Sequence, residues 1–466
     1  MSQGCGWRSS RWLIATSITI ALFSETFLYG FIVPILPYMI EKRLSLDQSR
    51  TQPLSAALLA VHGFFALISA PIIAHFADKS PNRKVPLLIA LAGCFTGTLL
   101  IALTHSLWAL FLGRILQGIT GSASWVVGFA LLMESVAAKD LGATMGVAMS
   151  FVTAGVISGP MISGVLLQLL GYWLTWSVPL TVLIIDVIAR LIMLEPRDLK
   201  PSSSSSSASS TESRHYIDPD ETTNLLSSDQ LPRKNSSSRG FYRIMLQEPR
   251  VIPGFANALW YSLLMATFNS SLPVHLRLVF GWGSLPTGMV FFCLQIPTIL
   301  LAGVFGWLRD RFGLKVPTTV GWLCSAPLLW FLGIPGNNSF PWASSDTNGK
   351  PIFIGCVIAF GVVSMLVHGA GFIQLTYVVR DKQAQDPYIF GPHGGSSRVF
   401  SMIDVACSLG MMVGPLVSSL LLETVGFYYM NIVFAMTCLA MAGISFIWFD
   451  GKPIPLASHL SFESEN

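Results

Sequence analysis

Apolar runs of about 20 residues recur twelve times along this chain, at residues 12–37, 53–76, 85–104, 107–134, 142–170, 174–194, 251–274, 285–308, 316–334, 351–378, 397–422 and 426–449. At 1.5 Å rise per residue, each is long enough as a helix to cross a hydrocarbon layer of about 30 Å. Lipid offers no partner to backbone N–H and C=O groups, so a spanning segment must bond within itself. The runs are continuous instead of alternating, which excludes a transmembrane β-barrel. Only 11% of residues are charged, against about 25% in soluble domains. The expectation is an all-α polytopic membrane protein with twelve transmembrane helices. Arg8 and Arg11 before the first run imitate a signal peptide, but the run is too long, so a retained first helix is expected.

Between the sixth and seventh runs lies 195–250, rich in serine (Ser202–Ser207, Ser236–Ser238) and charge. It has little to bury and reads as a disordered linker. The chain then divides into an amino tail (1–11), a six-helix half (12–194), the linker (195–250), a second half (251–449) and a carboxyl tail (450–466). With both termini in the cytosol, 22 of the 28 Lys and Arg residues fall in inside segments. The outside loops hold five, Lys42, Arg43, Arg50, Arg277 and Lys350, so the termini, tails and linker are expected to be cytosolic. Asn337-Asn-Ser is a candidate glycosylation site in an outside loop, with an unmodified turn as the alternative. Asp220-Glu-Thr-Thr-Asn-Leu225-Leu226 has the form of a sorting signal in the linker. The seven cysteines are scattered, without metal-ligand spacing, so neither a disulfide framework nor a metal site is expected.

The two halves repeat a pattern. Gly155, Gly159 and Gly164 fall on one helical face of the fifth run, around Pro160; 255 residues after Gly155 come Gly410, Gly414 and Pro415. Small residues let helices approach closely, and a proline kink must be covered by protein or water. After the second run stands Ala74-His-Phe-Ala-Asp78-Lys-Ser-Pro-Asn-Arg83-Lys84, and after the eighth Gly306-Trp-Leu-Arg-Asp310-Arg311-Phe-Gly313-Leu-Lys315. The fourth run holds Gly113-Arg114-Ile-Leu-Gln117-Gly118. An intramembrane charge marks a functional site by default, with snorkelling to an interface as the alternative.

These motifs resemble those of the major facilitator superfamily, in particular its proton-coupled export branch. The resemblance covers the chain apart from 195–250 and the tails, and implies two pseudo-symmetric six-helix halves. It implies a gate role for the loop residues Asp78, Arg83, Asp310 and Arg311, of which Asp78 would lock the cytosolic gate. Glu25 stands nine residues before Pro34, and Asp404 eleven before Pro415. Those spacings are similar to the vesicular amine transporters and fungal drug-exporting relatives. His62 and His368 occupy positions where the vesicular pumps carry other residue types. The resemblance thus assigns Glu25, His62, Arg114, Gln117, His368 and Asp404 to a proton-coupling and substrate cavity; for the two histidines a satisfied core residue is the alternative.

Asp186 and Arg190 stand four apart and are expected to pair within one helix. Gln168, Asn257, Gln295 and Gln374 bridge helices or line a cavity, and Trp260, Tyr261, Phe291 and Trp330 form either a substrate cage or ordinary packing. The leading functional reading is a proton-driven antiporter exporting a small organic molecule such as a drug, toxin or secondary metabolite. The rivals are an importer or facilitator on the same scaffold and a non-transporting sensor. No enzymatic signature and no P-loop appear, so neither an enzyme nor an ATP-driven pump is expected. The expected partners are substrate, protons and the lipid bilayer, with no nucleic acid and no cofactor beyond the proton gradient. A monomer in the plasma membrane is favoured, with a vacuolar or vesicular membrane as the alternative.

Overall fold

A computed structural model describes residues 11–79, 84–136, 141–192, 239–337, 339–344, 348–386, 389–390 and 396–449. The tails beyond these limits, Arg83 and the serine-rich linker with its sorting signal lie outside the described residues. The first half contains α1 (Arg11–Phe31), the short α2 (Leu36–Tyr38), α3 (Thr51–Lys79), α4 (Lys84–Leu103), α5 (Leu107–Ser135), α6 (Leu141–Leu169) and α7 (Gly171–Ile192). The second contains α8 (Arg239–Gln247), α9 (Val251–Phe280), α10 (Ser284–Leu300), α11 (Ala302–Phe312), α12 (Lys315–Gly333), α13 (Gly349–Ser364), α14 (Ala370–Gln385), α15 (Ser396–Thr424) and α16 (Gly426–Trp448).

Ten of these regions are helical, long and apolar enough to cross a membrane, and α10 with α11 forms an eleventh, bent by 56° just after Pro297. The tenth expected span is interrupted, with α13 and α14 separated by turns at residues 365–369. The linker expectation also needs correction at its end. Residues 239–247 form α8, because Phe241 and Met245, four apart, are both buried against the second hydrophobic core.

The glycine motifs decide which helices touch. A side chain at Gly159 would come 2.5 Å from the Phe27 carbonyl and 2.9 Å from the Phe31 nitrogen, and one at Gly155 would strike Phe23 and Thr26. α1 and α6 therefore pack backbone to backbone, and Thr26 Oγ1 donates to the Val152 carbonyl at 3.0 Å. The second half repeats this helix pairing: a side chain at Gly414 would come 2.5 Å from the Leu263 carbonyl, and Thr267 Oγ1 donates to the Gly414 carbonyl at 3.3 Å. Gly30 packs on Pro160, since a side chain there would lie 2.8 Å from the proline ring. Gly164 has a different neighbour. It meets Ser284 and Gly288 of α10, so this end of the motif joins the two halves. A second join is α3 on α15, where Gly63 lies against the backbone of Ser408, Met411 and Met412.

Gly159→Leu and Gly414→Leu should each destabilise the α1–α6 or α9–α15 contact, by about 1–3 kcal/mol or more because backbone cannot yield. Denaturant unfolding in mixed micelles should show both losses; a wild-type midpoint in either variant would mean that the close approach is not needed there.

Where α8 meets α9, Glu248 bonds Arg250 at 2.8 Å and Lys382 at 2.9 Å, and Arg250 also bonds Asp381 at 2.9 Å. Arg250, then Lys382, hold the Glu248 carboxyl below the usual glutamate range. A depressed carboxyl stabilises the fold fully above its unfolded pKa of about 4.3 and loses that contribution as pH falls through the folded value. The difference in thermal midpoint between wild type and Glu248→Gln should therefore be constant from about pH 7 to 5 and shrink below about pH 4.5.

Candidate functional site

Successive residues of a helix project about 100° apart, and α5 uses that spread to reach several neighbours. Arg114 on α5 is 1% exposed, so it does not snorkel. Its Nε donates to the Leu58 carbonyl of α3 at 3.3 Å and its Nη1 to Gln117 Oε1 at 2.9 Å. Gln117 Nε2 donates onward to Thr98 of α4, also at 2.9 Å. The guanidinium carbon lies 5.6 Å from the Tyr29 ring centre, and Nη2 has no hydrogen-bond partner among the described residues. Gly118 presses on the His62 carbonyl. The His62 ring is 5.1 Å from Tyr29, and its Nδ1 is buried without a partner among the described residues.

The two membrane acids flank α5 at neighbouring positions. Glu25 of α1 lies against Gly121, and its Oε2 accepts from Cys94 Sγ of α4 at 3.8 Å. Asp404 of α15 is 7% exposed; its Oδ2 accepts from Ser122 Oγ at 2.5 Å and its Oδ1 from Ser408 Oγ at 3.4 Å. The two acids have different partners in this closed arrangement. Glu25 points among the helices of the first half, whereas Asp404 lies between the halves, and no hydrogen bond joins them. Asp186 and Arg190 do pair, through bonds of 2.9 and 2.8 Å, and Arg190 also donates to the Leu87 carbonyl at 2.6 Å.

His368 stands at the interruption between α13 and α14, stacked on Tyr261 of α9 with ring centres 4.9 Å apart and planes 19° apart. Each of these two histidines thus leans on a tyrosine from the first long helix of its own half. The four aromatics considered as a cage do not assemble. Trp330 is exposed and bonds Tyr428, whereas Phe291 is sealed in the core. Asn257 bridges helices, donating to the Val367 carbonyl and accepting from Trp322. Gln374 and Gln168 bridge as well, Gln374 donating to the Arg250 carbonyl and Gln168 accepting from the Leu285 nitrogen.

Both faces of the molecule are closed between the halves. At the face rich in basic residues, Arg398 of α15 bonds Asp78 of α3 at 3.1 Å. Phe129 of α5 stacks on Phe400 of α15 at 5.1 Å and approaches Phe372 of α14 at 6.0 Å. Asp310 lies in α11 and Arg311 packs over Trp307. At the opposite, basic-poor face, Arg277 grips Glu41 with two bonds of 2.8 and 2.5 Å, and Gln52 bonds Ser270 at 3.1 Å. Beside that pair is a cavity of about 300 Å³ lined by residues including Tyr38, Glu41, Gln168, Arg277 and Trp282. Asn337 turns on the same face, its Oδ1 accepting from the Ser339 nitrogen at 2.9 Å.

The sequence reading missed Ser122, Tyr29, Arg398 and the Glu41–Arg277 pair. A lone serine, tyrosine or loop charge carries no pattern until its partner, on another helix, is known.

If Ser122 holds Asp404 across the interface, Ser122→Ala and Asp404→Asn should be non-additive in a double-mutant cycle. A coupling of about 1–2 kcal/mol is expected in denaturant unfolding. Strict additivity would mean that the bond contributes nothing.

Residues 18–384 match the sequence profile of the Major Facilitator Superfamily. An uncharacterized MFS-type transporter of Schizosaccharomyces pombe is 30% identical over 441 residues, 93% of each chain. The class D tetracycline resistance protein of Salmonella ordonez is 35% identical over 135 residues, 29% of this chain and 33% of the relative. A probable vesicular acetylcholine transporter of Danio rerio is 22% identical, over 91% of this chain and 76% of its own. The crystal structure of the nucleoside transporter NupG shares the fold, with a TM-score of 0.62 at 14% identity over 94% of this chain and all of the other. The chain belongs to the Major Facilitator Superfamily and is a multi-pass membrane transporter.

Proposed function

We propose that this transporter exports a small organic molecule in exchange for protons, with both termini in the cytosol and the plasma membrane as its site. The observation that carries the reading is Asp404: a buried carboxyl set between the two halves, bonded to a serine from each. Among the described residues it has no salt-bridge cation, while the buried Arg114 is spent on Gln117 and a backbone carbonyl. A buried carboxyl needs either a proton or a partner. Serine can donate to the ionised form or accept from the protonated one, so the site tolerates both states. A proton arriving from one face and a cargo arriving from the other would then compete for this group. Rocking of the halves supplies the alternation. The tetracycline resistance protein resembles this chain over a third of its length, which favours export of an organic solute. Glu25 is the second candidate for the proton, acting inside the first half.

The test uses proteoliposomes with an imposed pH gradient and a panel of labelled solutes beginning with tetracycline. Asn and Gln mimic permanently protonated side chains. Asp404→Asn should fold, lose gradient-driven accumulation and retain gradient-independent exchange; Glu25→Gln should show the weaker loss. Full gradient-driven accumulation in both variants would overturn proton coupling at these acids.

A further inference from the structure

The fourth span is one uninterrupted helix, α5, of 29 residues, whereas the tenth, in the other half, is cut between α13 and α14. At the cut, the Ser364 carbonyl receives the amides of both Val367 and His368, at 3.1 and 2.8 Å, and Gly369 takes φ +76°. The backbone beyond Ser364 thus leaves the regular ladder at membrane depth, where exposed carbonyls are tolerated only if protein or water satisfies them. Side chains from two neighbouring helices do so. Asn257 of α9 donates to the Val367 carbonyl at 3.2 Å, and is itself fixed by Trp322 of α12 at 2.9 Å. Arg309 of α11 donates through one nitrogen, Nη2, to two carbonyls, that of Met365 at 2.6 Å and that of His368. The residue whose carbonyl Arg309 holds is the one whose imidazole lies flat on Tyr261. Tyr261 in turn lies beside Ser364, at the end of α13.

We propose that Arg309 is a positioning residue for the central site. It clips the open turn of the tenth span and thereby holds His368 on Tyr261. A guanidinium suits this task because it is planar, permanently charged and less strongly hydrated than an ammonium, so two backbone carbonyls replace its water readily. Arg309 sits on the short arm beyond the bend of the eighth span, next to the loop residues Asp310 and Arg311. Movement of that arm during opening of the basic-rich face is therefore transmitted through one side chain to the His368 end of the site. The consequence for transport rests on the reading above; the positioning itself does not, and is tested without cargo or gradient.

The full-length protein in nanodiscs is treated with diethyl pyrocarbonate, and modification of each histidine is followed by peptide mass spectrometry. Arg309→Ala should speed His368 modification by about fivefold or more while His62 and His275 keep their wild-type rates. Arg309→Lys, which retains a charge but not the fork, should fall between. Arg311→Ala, two residues along the same helix and stacked over Trp307, should leave His368 unchanged. An unchanged His368 rate in Arg309→Ala would overturn the proposal. So would a parallel rise at all three histidines, because that reports general loosening instead of a local clip. Should the alanine variant not fold, Arg309→Lys against Arg311→Lys carries the same comparison, and equal His368 rates in the two would overturn the proposal.

Discussion

Polar groups inside a membrane protein have only one another and the backbone as partners, and α5 supplies more of these partnerships than any other helix near the site. Gln117 and the Leu58 carbonyl hold Arg114, Gly118 covers the His62 carbonyl, Gly121 admits Glu25, and Ser122 crosses to Asp404. Two of these positions work by lacking a side chain. A methyl group at Gly118 or Gly121 would collide with His62 or Glu25, so glycine here is a requirement of close approach between helices. The arrangement also sorts the charges. Glu25 and Asp404 meet α5 at consecutive residues and are thereby turned to different neighbours, one into the first half and one toward the second.

Much of the architecture was legible in the sequence because a lipid-spanning helix announces itself by length and composition alone. The same uniformity hides the inside of the protein. Lipid and protein interior are equally apolar, so a spanning helix shows no 3.6-residue stripe to say which face meets which neighbour. Local pairings survive this, and Asp186 with Arg190, one turn apart, was readable. Ser122 with Asp404 and Glu41 with Arg277 were not, being 282 and 236 residues apart. The cut in the tenth span was hidden for the same reason, since apolar residues run through it and only the glycines around His368 hint at a turn. α8 was hidden in the opposite way: a polar, charged segment masked the two apolar residues, Phe241 and Met245, that dock it.

The two halves are built alike where they pack and differently where they bend. Thr26 on Val152 and Thr267 on Gly414 lie at different positions of corresponding helix pairs, each tying the first long helix of its half to the glycine-rich one. By contrast, the bend after Pro297 and the cut at 365–369 have no counterpart in α3 or α5, each a helix of 29 residues. Regular helices transmit displacement as rigid rods; interrupted ones absorb it at their breaks. The second half therefore has the more compliant interior, and the side chains bracing its breaks, Asn257, Trp322 and Arg309, carry a load that no residue of α5 has to bear.

Closure at both faces follows from where the cross-half contacts lie. Arg398–Asp78 and the Phe129 stack seal the basic-rich face, while Arg277–Glu41 and Gln52–Ser270 seal the other. Rotation of two bodies about an axis near the midplane changes distances most at the faces and least in the middle. Ser122 lies near the middle of α5, so the bond to Asp404 is the cross-half contact least disturbed by such a rotation. The face contacts are different. The two ion pairs among them, Arg398–Asp78 and Arg277–Glu41, lie near helix ends and are partly exposed, so water can replace the lost partner and breaking one costs little compared with unpairing a fully buried group. Opening at one face while the other holds is then the least costly departure from the closed arrangement.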